Sequence, residues 1–568
     1  MTAEGIFEEL LKARGYDKKT RETFLNPAYE AMRHDPFLLP DMEAAVARIA
    51  AARDNNESVW IYGDYDIDGL TATSVLLDAL PKFGLNVQAF IPNRFIEGYG
   101  LSSDAITTLA GKGAQLIITV DCGSLSHKEI DHAGSLGVDV IVTDHHNVAP
   151  EMPAAVAVIN PKRLLQDHPE MYDGYLLKPS SDSHRPIVSL YPFLDLAGVG
   201  VAFKLVQALQ QRLEGLPAGH EKWLLDLVAF GTVCDVVSLE DENRANVYWG
   251  LKVMQKTRRP GLRALAAVAS VELSELHARH LGYVLGPHLN ASGRLETAMR
   301  SLDVLTAPDG AQALSAAQVL REMNLARRAD QDVIFAAAKE QAERYADDPV
   351  LVLSHSSWSH GIIGIVAAKI LETYKKPTYV LQEMGIESKG SARSYGDFSA
   401  ADAIRASERL ITKGGGHKLA AGVTLPTANI AAFRASVNDF YRSLALRDQL
   451  QHLDPQADVS LSSFDGVTEA LLDMLASLEP CGKGNPQAVF HFQSVHVANR
   501  REMGADKTHL KLTLADEGQG FFEVIAFGKA QEITARPGDR VEAWCQLELN
   551  EWNGRRSVQG KLLKLDMV

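Results

Sequence analysis

Three short runs of apolar, largely β-branched residues each end on a cluster of ionisable side chains, and this repetition constrains the chain more than any other feature. Val59-Trp-Ile-Tyr62 leads into Asp64-Tyr65-Asp66-Ile67-Asp68-Gly69, the run 116–120 (LIITV) leads into Asp121-Cys122-Gly123, and the run 138–143 (VDVIVT) leads into Asp144-His145-His146. Helical stretches such as ATSVLLDALPKFG separate the runs, so residues from about 41 to 160 are expected to form a doubly wound parallel sheet. Carboxylates and imidazoles then recur at the carboxyl ends of three strands, where open α/β sheets place their sites.

Those side chains suit a metal centre. Asp oxygens and neutral imidazole nitrogens favour Mn²⁺ or Mg²⁺, and nothing in a thiolate-poor cluster favours structural zinc. Two ions roughly 3.5 to 4 Å apart, bridged by one carboxylate, activate water and steady phosphoryl oxygens through an in-line displacement. Any single strand-end Asp serves more often as a helix cap or turn residue. Three such clusters in succession are not explained that way.

At 568 residues the chain is too long for one ordinary core, and three or four domains are expected. The segment MTAEGIFEELLKARGYD reads as an amphipathic helix, and no apolar run reaches membrane-spanning length, which makes the cytoplasm the expected compartment. Cys122, Cys234, Cys481 and Cys545 are scattered without a CxxC pair, arguing against both a disulfide framework and a zinc finger. A net charge of −15 argues against non-specific coating of a duplex. It leaves room for a narrow basic track, because binding depends on local charge.

Beyond residue 160 the pattern breaks at 163–194, rich in Pro, Ser, Asp and aromatic residues, which reads as an inserted surface loop without a functional assignment. Helical rhythm returns in LAGVGVAFKLVQALQQRLEG and in WLLDLVAFGTVCDVVSL, which carries Asp235, and a long connecting helix is expected over about 310–345. A second α/β segment follows, and five strands near the C-terminus predict a small barrel that binds oligonucleotides. The expected division is a helical lead-in at 1–40, a catalytic α/β domain at 41–265, a connector with the long helix at 266–345, a second α/β domain at 346–450 and the barrel at 451–568.

The ordered series DYDIDG, VDCG, TDHH, GTVCDVV, GPHLNASGRL, GSARS and GGGHKLAAG resembles the DHH phosphoesterase superfamily, and the resemblance to its RecJ branch runs across nearly the whole chain. LAGVGVAFKL, Glu242-Asn243-Arg244 and EPCGKGNPQAVF strengthen it. The resemblance implies a DHH and a DHHA1 lobe, joined by the long helix around a cleft, with an appended oligonucleotide-binding barrel. It also implies hydrolysis of single-stranded DNA from the 5′ end to mononucleotides, in recombination and repair, with Mn²⁺ or Mg²⁺. Carried onto this sequence, Asp64 holds one ion, Asp66 the other, and Asp121 bridges both. His145 and Asp235 complete the coordination of the second ion, and His146 faces the scissile phosphate. Asp68 and Asp144 divide evenly between direct ligation and orienting the ligands and the imidazole tautomer.

For the 5′-terminal phosphate, Arg forks and hydroxyls are the suitable chemistry. The resemblance assigns Arg94, Ser391 and Arg393 to it, with Gly415, Gly416 and His417 shaping the opposite wall. Two departures stand out: the family's GPR is Gly286-Pro287-His288 here, so that its nucleic-acid-contacting Arg is either absent or supplied by Arg294, and a family WHxG is Trp358-Ser359-His360-Gly361. In the barrel, Phe521, Phe522, Phe527, Trp544 and Trp552 interleave with Arg500, Arg501, Lys507, Lys511, Arg555 and Arg556. Strand alternation puts about half of such aromatics in the interior. Trp552 is the candidate for exposure. A single-strand-binding protein and a RecQ-type helicase are the implied partners of a monomer. The alternatives are a DHH-type phosphodiesterase of short oligonucleotides or cyclic dinucleotides, against which the barrel weighs, and a non-catalytic replication scaffold, against which the complete ligand set weighs.

Overall fold

A computed structural model describes residues 1–98, 100–172, 190–447, 449–552 and 554–568; most of the 163–194 insertion and the side chain of Trp552 lie outside the described residues. The chain divides into two compact units. The first comprises Met1–Asn290, Glu296–Gln318 and Pro455–Val568; the second comprises Ala291–Leu295 and Val319–Asp454.

In the first unit the three apolar runs form β1 (Ser58–Gly63), β3 (Leu116–Val120) and β4 (Asp139–Thr143). Together with β2 (Asn86–Phe90) and β5 (Ala157–Ile159) they make an all-parallel sheet of order β2-β1-β3-β4-β5. Both faces are covered, and β3 is buried along its whole length, which is why these strands read as continuous apolar runs rather than alternating ones. The strand order reverses between β1 and β3, and the crevice of a doubly wound sheet opens there.

The C-terminal strands β12 (Phe490–Met503), β13 (His509–Ala515), β14 (Phe521–Ala526), β15 (Arg540–Trp552) and β16 (Arg555–Met567) close on themselves through the β12–β15 pairing, giving the expected five-stranded barrel. A short strand, β11 (Val459–Leu461), adds to its edge. The barrel interior does not end with its own strands. The Ala3–Ala13 helix places Ile6, Phe7, Leu10 and Leu11 in one apolar cluster with Phe490, Phe492, Leu510, Leu512 and Val541. Arg14 completes that seam by donating to both carboxylate oxygens of Asp458. Arg244 ties the barrel's approach loop to the catalytic lobe: its buried guanidinium donates to the carbonyls of Phe24, Leu478, Glu479 and Pro480 and lies over the Phe24 ring.

The second unit is built on a mixed sheet of order β6-β7-β8-β10-β9, from β6 (Leu351–His355), β7 (Thr378–Met384), β8 (Glu387–Arg393), β9 (Lys413–Gly416) and β10 (Ala420–Pro426). The expected long helix spans Gly310–Arg344, with its first residues in one unit and the remainder in the other. No described helix is long and apolar enough to cross a membrane.

Candidate metal centre

The strand ends of the first unit deliver their carboxylates to one place. Asp64 follows β1, and its backbone N–H donates to the Val120 carbonyl, so the β1–β3 ladder continues into the site. Asp66 caps the Ile67–Ala79 helix, one carboxylate oxygen accepting from the N–H groups of Asp68 and Gly69 at 2.9 and 3.2 Å. Asp121 turns out of β3 in the left-handed region at φ 61, a conformation Asp tolerates better than most residues. Asp235 terminates the Leu225–Cys234 helix.

Around Asp121, three sets of ligand atoms each lie within 4.8 Å of one another: Asp64, Asp66 and Asp121; Asp121, His145 and His146; and Asp68, His145 and Asp235. His145 Nε2 is 3.1 Å from Asp121 Oδ1 and 3.6 Å from Asp235 Oδ2. Asp64 Oδ1, His145 Nε2 and Asp235 Oδ2 are buried without a hydrogen-bond partner among the described residues. Buried polar atoms are normally satisfied, so orphaned acceptors converging on one spot fit a cation. The electrostatics agree. Burial, with the neighbouring carboxylates, pushes Asp64 and Asp121 well up, Asp68 up to about 7 and Asp235 up to about 9. Carboxylates crowded this way stay ionised together only with counter-cations. Burial, reinforced by His146, holds His145 down at about 3, so it stands as the neutral imidazole a metal requires.

Asp68 and Asp144 take a different part. Asp68 accepts from the N–H groups of Gly198 and Val199 at 2.6 and 2.9 Å, pinned by the first turn of the Gly198–Arg212 helix. Asp144 accepts from the N–H groups of Ser124, His145 and His146, and its Oδ1 lies 2.9 Å from His146 Nδ1. Burial opposes its charge, but the His146 hydrogen bond, the nearby imidazoles and the backbone N–H of His146 together outweigh it and hold the Asp144 carboxyl below the usual range. An ionised carboxylate only accepts, so Nδ1 carries the hydrogen. Although burial works against the imidazolium, that same bond together with the charges of Asp144, Asp68 and Asp66 leaves the His146 pKa raised.

Several members of the site gave no signal in the sequence. A Cβ on Gly198 would sit 2.7 Å from Asp121 Oδ1, so the glycine is what lets this helix approach. Asn160 donates to Ser124 Oγ and to the His146 carbonyl, fixing the loop that carries both histidines. LAGVGVAFKL, which contains Gly198, was legible only as a family motif, and nothing in the sequence marked Asn160.

The residues expected to bind substrate fall in both units. Arg94, in the first, lies over the Tyr65 ring at 4.2 Å. In the second, Ser391 and Arg393 sit two apart on β8, and Gly364 faces both: a Cβ there would meet Arg393 Nη2 at 3.2 Å and Ser391 Oγ at 3.5 Å. Gly415, Gly416 and His417 are exposed around the end of β9. Arg294 donates to the Gly361 carbonyl, a bond that holds its own unit together. His288 is buried with Nδ1 at 2.8 Å from the Val284 carbonyl, and His360 Nδ1 lies 3.0 Å from Gln382 Oε1. In the barrel Phe522 is interior, Phe521 and Phe527 are exposed, and Trp544 stacks on His491 at 4.1 Å. Several of the interleaved cations are already engaged: Arg500 donates to the Ala530 and Ile533 carbonyls, Lys511 pairs with Glu523, and Arg556 with Glu551.

A doubly wound sheet with this Asp and His cluster at its switch point, a second α/β unit and an oligonucleotide-binding barrel defines a metal-dependent phosphoesterase of the DHH type. The models for the DHH family N-terminal domain, the DHHA1 domain and the RecJ OB domain match residues 58–232, 347–443 and 457–564. The single-stranded-DNA-specific exonuclease RecJ of Dickeya dadantii is 35% identical, over 92% of this chain and 90% of that protein. Its Bacillus subtilis counterpart is 34% identical over 98% of this chain and 67% of that protein. The crystal structure of Thermus thermophilus RecJ in complex with Mn²⁺ superposes with a TM-score of 0.79, at 28% identity, covering 99% of this chain and 78% of that one. A Mg²⁺ complex of the same protein gives 0.73. The chain belongs to the RecJ family.

Proposed function

We infer that this chain is a metal-dependent exonuclease that hydrolyses single-stranded DNA in the 5′ to 3′ direction to mononucleotides, in recombination and repair. The observation that carries the reading is the nest of buried, partnerless ligand atoms from Asp64, His145 and Asp235 gathered around Asp121. Asp64, Asp66, Asp121, His145 and Asp235 would hold a pair of Mn²⁺ or Mg²⁺ ions. Bound there, the ions supply Lewis acidity to a phosphoryl oxygen and lower the pKa of an attacking water.

The remaining steps belong to the protein. Asp68, clamped by Gly198 and Val199, backs the ligand cluster without spending its oxygens on the ions. Asp144 fixes the His146 ring and favours its protonated form, so Nε2–H is available to a phosphoryl oxygen or to the departing 3′ oxygen. By family resemblance, recognition of the terminal 5′ phosphate falls to Arg94 in the first unit and to Ser391 and Arg393 in the second, with Gly415, Gly416 and His417 also assigned to the substrate. Arg294 is better read as a strut of the second unit, given its bond to Gly361. The domains run 41–265 for the DHH lobe, 346–450 for DHHA1 and 451–568 for the barrel, with the N-terminal helix serving the barrel core. The family resemblance extends the reading to a cytoplasmic monomer that meets a single-strand-binding protein and a RecQ-type helicase.

Digestion of one oligonucleotide labelled at either end tests the assignment. With Mn²⁺ and a 5′ label, labelled mononucleotide is the first product; with a 3′ label, label stays on shortening strands until late. A 5′-labelled single strand left intact refutes the activity, and early mononucleotide from the 3′ label refutes the polarity.

A further inference from the structure

The Leu225–Cys234 helix stops at a metal ligand, and the residue that turns the chain away from it is unsuited to the turn. Asp235 closes the helix with φ −74 and ψ −11, and Val236 follows at φ 61. A left-handed residue in that position is a common way for a helix to end, but it is usually Gly and sometimes Asn. Among the described non-glycine residues Val236 is the one β-branched residue with positive φ, a conformation that β-branching strains. Its side chain is 61% exposed, so packing does not offset that strain. Local preference alone would have a valine here continue the helix or extend.

The constraint comes from both sides of Val236. Upstream, the helix is seated tightly at Gly231, where a Cβ would collide with Thr71 Oγ1 and come within 2.9 Å of Asp68 Oδ1. Downstream, the Ser238 carbonyl accepts from Asn243 Nδ2 at 2.9 Å, and the N–H of the buried Leu239 donates to the Lys483 carbonyl at 2.8 Å. Gly482 and Gly484 press the loop that precedes the barrel against this segment: a Cβ at either would come 2.7 Å from Leu239 Cδ1 or 2.5 Å from Ser238 Oγ. Arg244 anchors the same loop through the carbonyls of Leu478, Glu479 and Pro480. The chain is therefore clamped three residues after Asp235, and the turn at Val236 joins the two fixed ends.

We infer that Val236 is a positioning residue for Asp235, and that the loop 482–484 enforces its turn from outside the metal centre. The inference rests on the reading of Asp235 as a metal ligand and deepens it. The helix carries no stop residue of its own at this point, so the clamp decides where it ends and which way the last carboxylate faces. Asp235 Oδ2 has no hydrogen-bond partner among the described residues, which leaves its direction to the backbone. Loosening the clamp lets Val236 leave the left-handed region, the end of the helix shifts, and Asp235 no longer converges with His145 and Asp68. A residue content with positive φ would keep the helix end in place without the clamp.

The test is a double-mutant cycle on the full chain, with Mn²⁺ affinity measured by calorimetry and Tm measured without metal. Val236→Asn raises the metal-free Tm by about 2–4 °C, because Asn accepts the left-handed turn that strains valine. Gly484→Ala, which pushes on Ser238 and touches no ligand, weakens Mn²⁺ binding about tenfold when residue 236 is valine. The same substitution in the Val236→Asn background costs less than about twofold, a rescue that a purely structural role for the loop does not give. Gly482→Ala, which presses on Leu239 instead, takes the place of Gly484→Ala should that variant not fold. Equal losses in the two backgrounds, an unchanged Mn²⁺ affinity on loosening the clamp, or a metal-free Tm that does not rise with Val236→Asn overturn the role of Val236 alone. A wild-type chain that binds no Mn²⁺ overturns the metal assignment and this inference with it.

Discussion

The two adjacent histidines show how far a single side chain's role depends on what touches it. His145 and His146 have rings in edge contact at 4.4 Å, yet burial holds one neutral while Asp144 keeps the other's proton. Asp144→Asn keeps the shape but removes the charge, so activity should fall about 10- to 100-fold, as for other residues that orient a metal site from behind. The basic limb of the pH–rate profile should move to lower pH, because the His146 pKa loses what raises it. A kinetic profile from pH 5 to 10 checks this; an unmoved limb would separate Asp144 from His146. The sequence showed which residues gather, since each follows a strand. It left Asp68 and Asp144 undecided between two roles, because the backbone N–H groups that occupy Asp68 come from Gly198 and Val199, 130 positions away.

At the scale of elements, the Gly198–Arg212 helix and the Ala3–Ala13 helix each do something that local pattern does not reveal. Gly198→Ala places a methyl group against Asp121, and the expected outcome is an activity loss of roughly 100-fold or more with a stability cost of about 1–3 kcal/mol. Paired kinetic and urea-unfolding measurements distinguish this from a general loss of fold. Ile6→Ala should cost about 2–5 kcal/mol, because Ile6 is fully buried in the barrel's core despite lying more than 450 residues from it in sequence. A surface helix would tolerate the change, and thermal unfolding reports which holds. The five barrel strands were legible from alternation and turn residues, whereas the helix that completes their core looked like a separate lead-in. Alternation likewise marked Phe522 as interior, but the carbonyl partners that occupy Arg500 depend on loops no periodicity encodes.

For the whole molecule, the metal centre couples charge to stability. Without ions, Asp68 and Asp235 bind protons in the folded state up to about pH 7 and about pH 9, far above their unfolded range, and the raised His146 pKa acts in the same direction. The folded state then holds more protons than the unfolded one, so stability falls as pH rises. The metal-free protein should therefore lose Tm from the unfolded carboxylate range near about pH 4 up to about pH 9, and saturating Mn²⁺ should raise Tm and flatten that slope by replacing protons as the counter-charge. Calorimetric scans across that range, with and without Mn²⁺, check both. An ion-independent slope would show that the carboxylates titrate without regard to metal.

The central claim is that the cluster around Asp121 hydrolyses the strand. The most direct measurement is the rate of mononucleotide release from 5′-labelled single-stranded DNA by wild type and Asp121→Ala, each with Mn²⁺ and each verified as folded. Release by the wild type, and a loss of at least about 10²-fold in the variant, is the predicted result, since removal of a single group stabilising the transition state already costs about 10²- to 10³-fold. An Asp121→Ala protein that digests the strand as fast as the wild type would contradict the account.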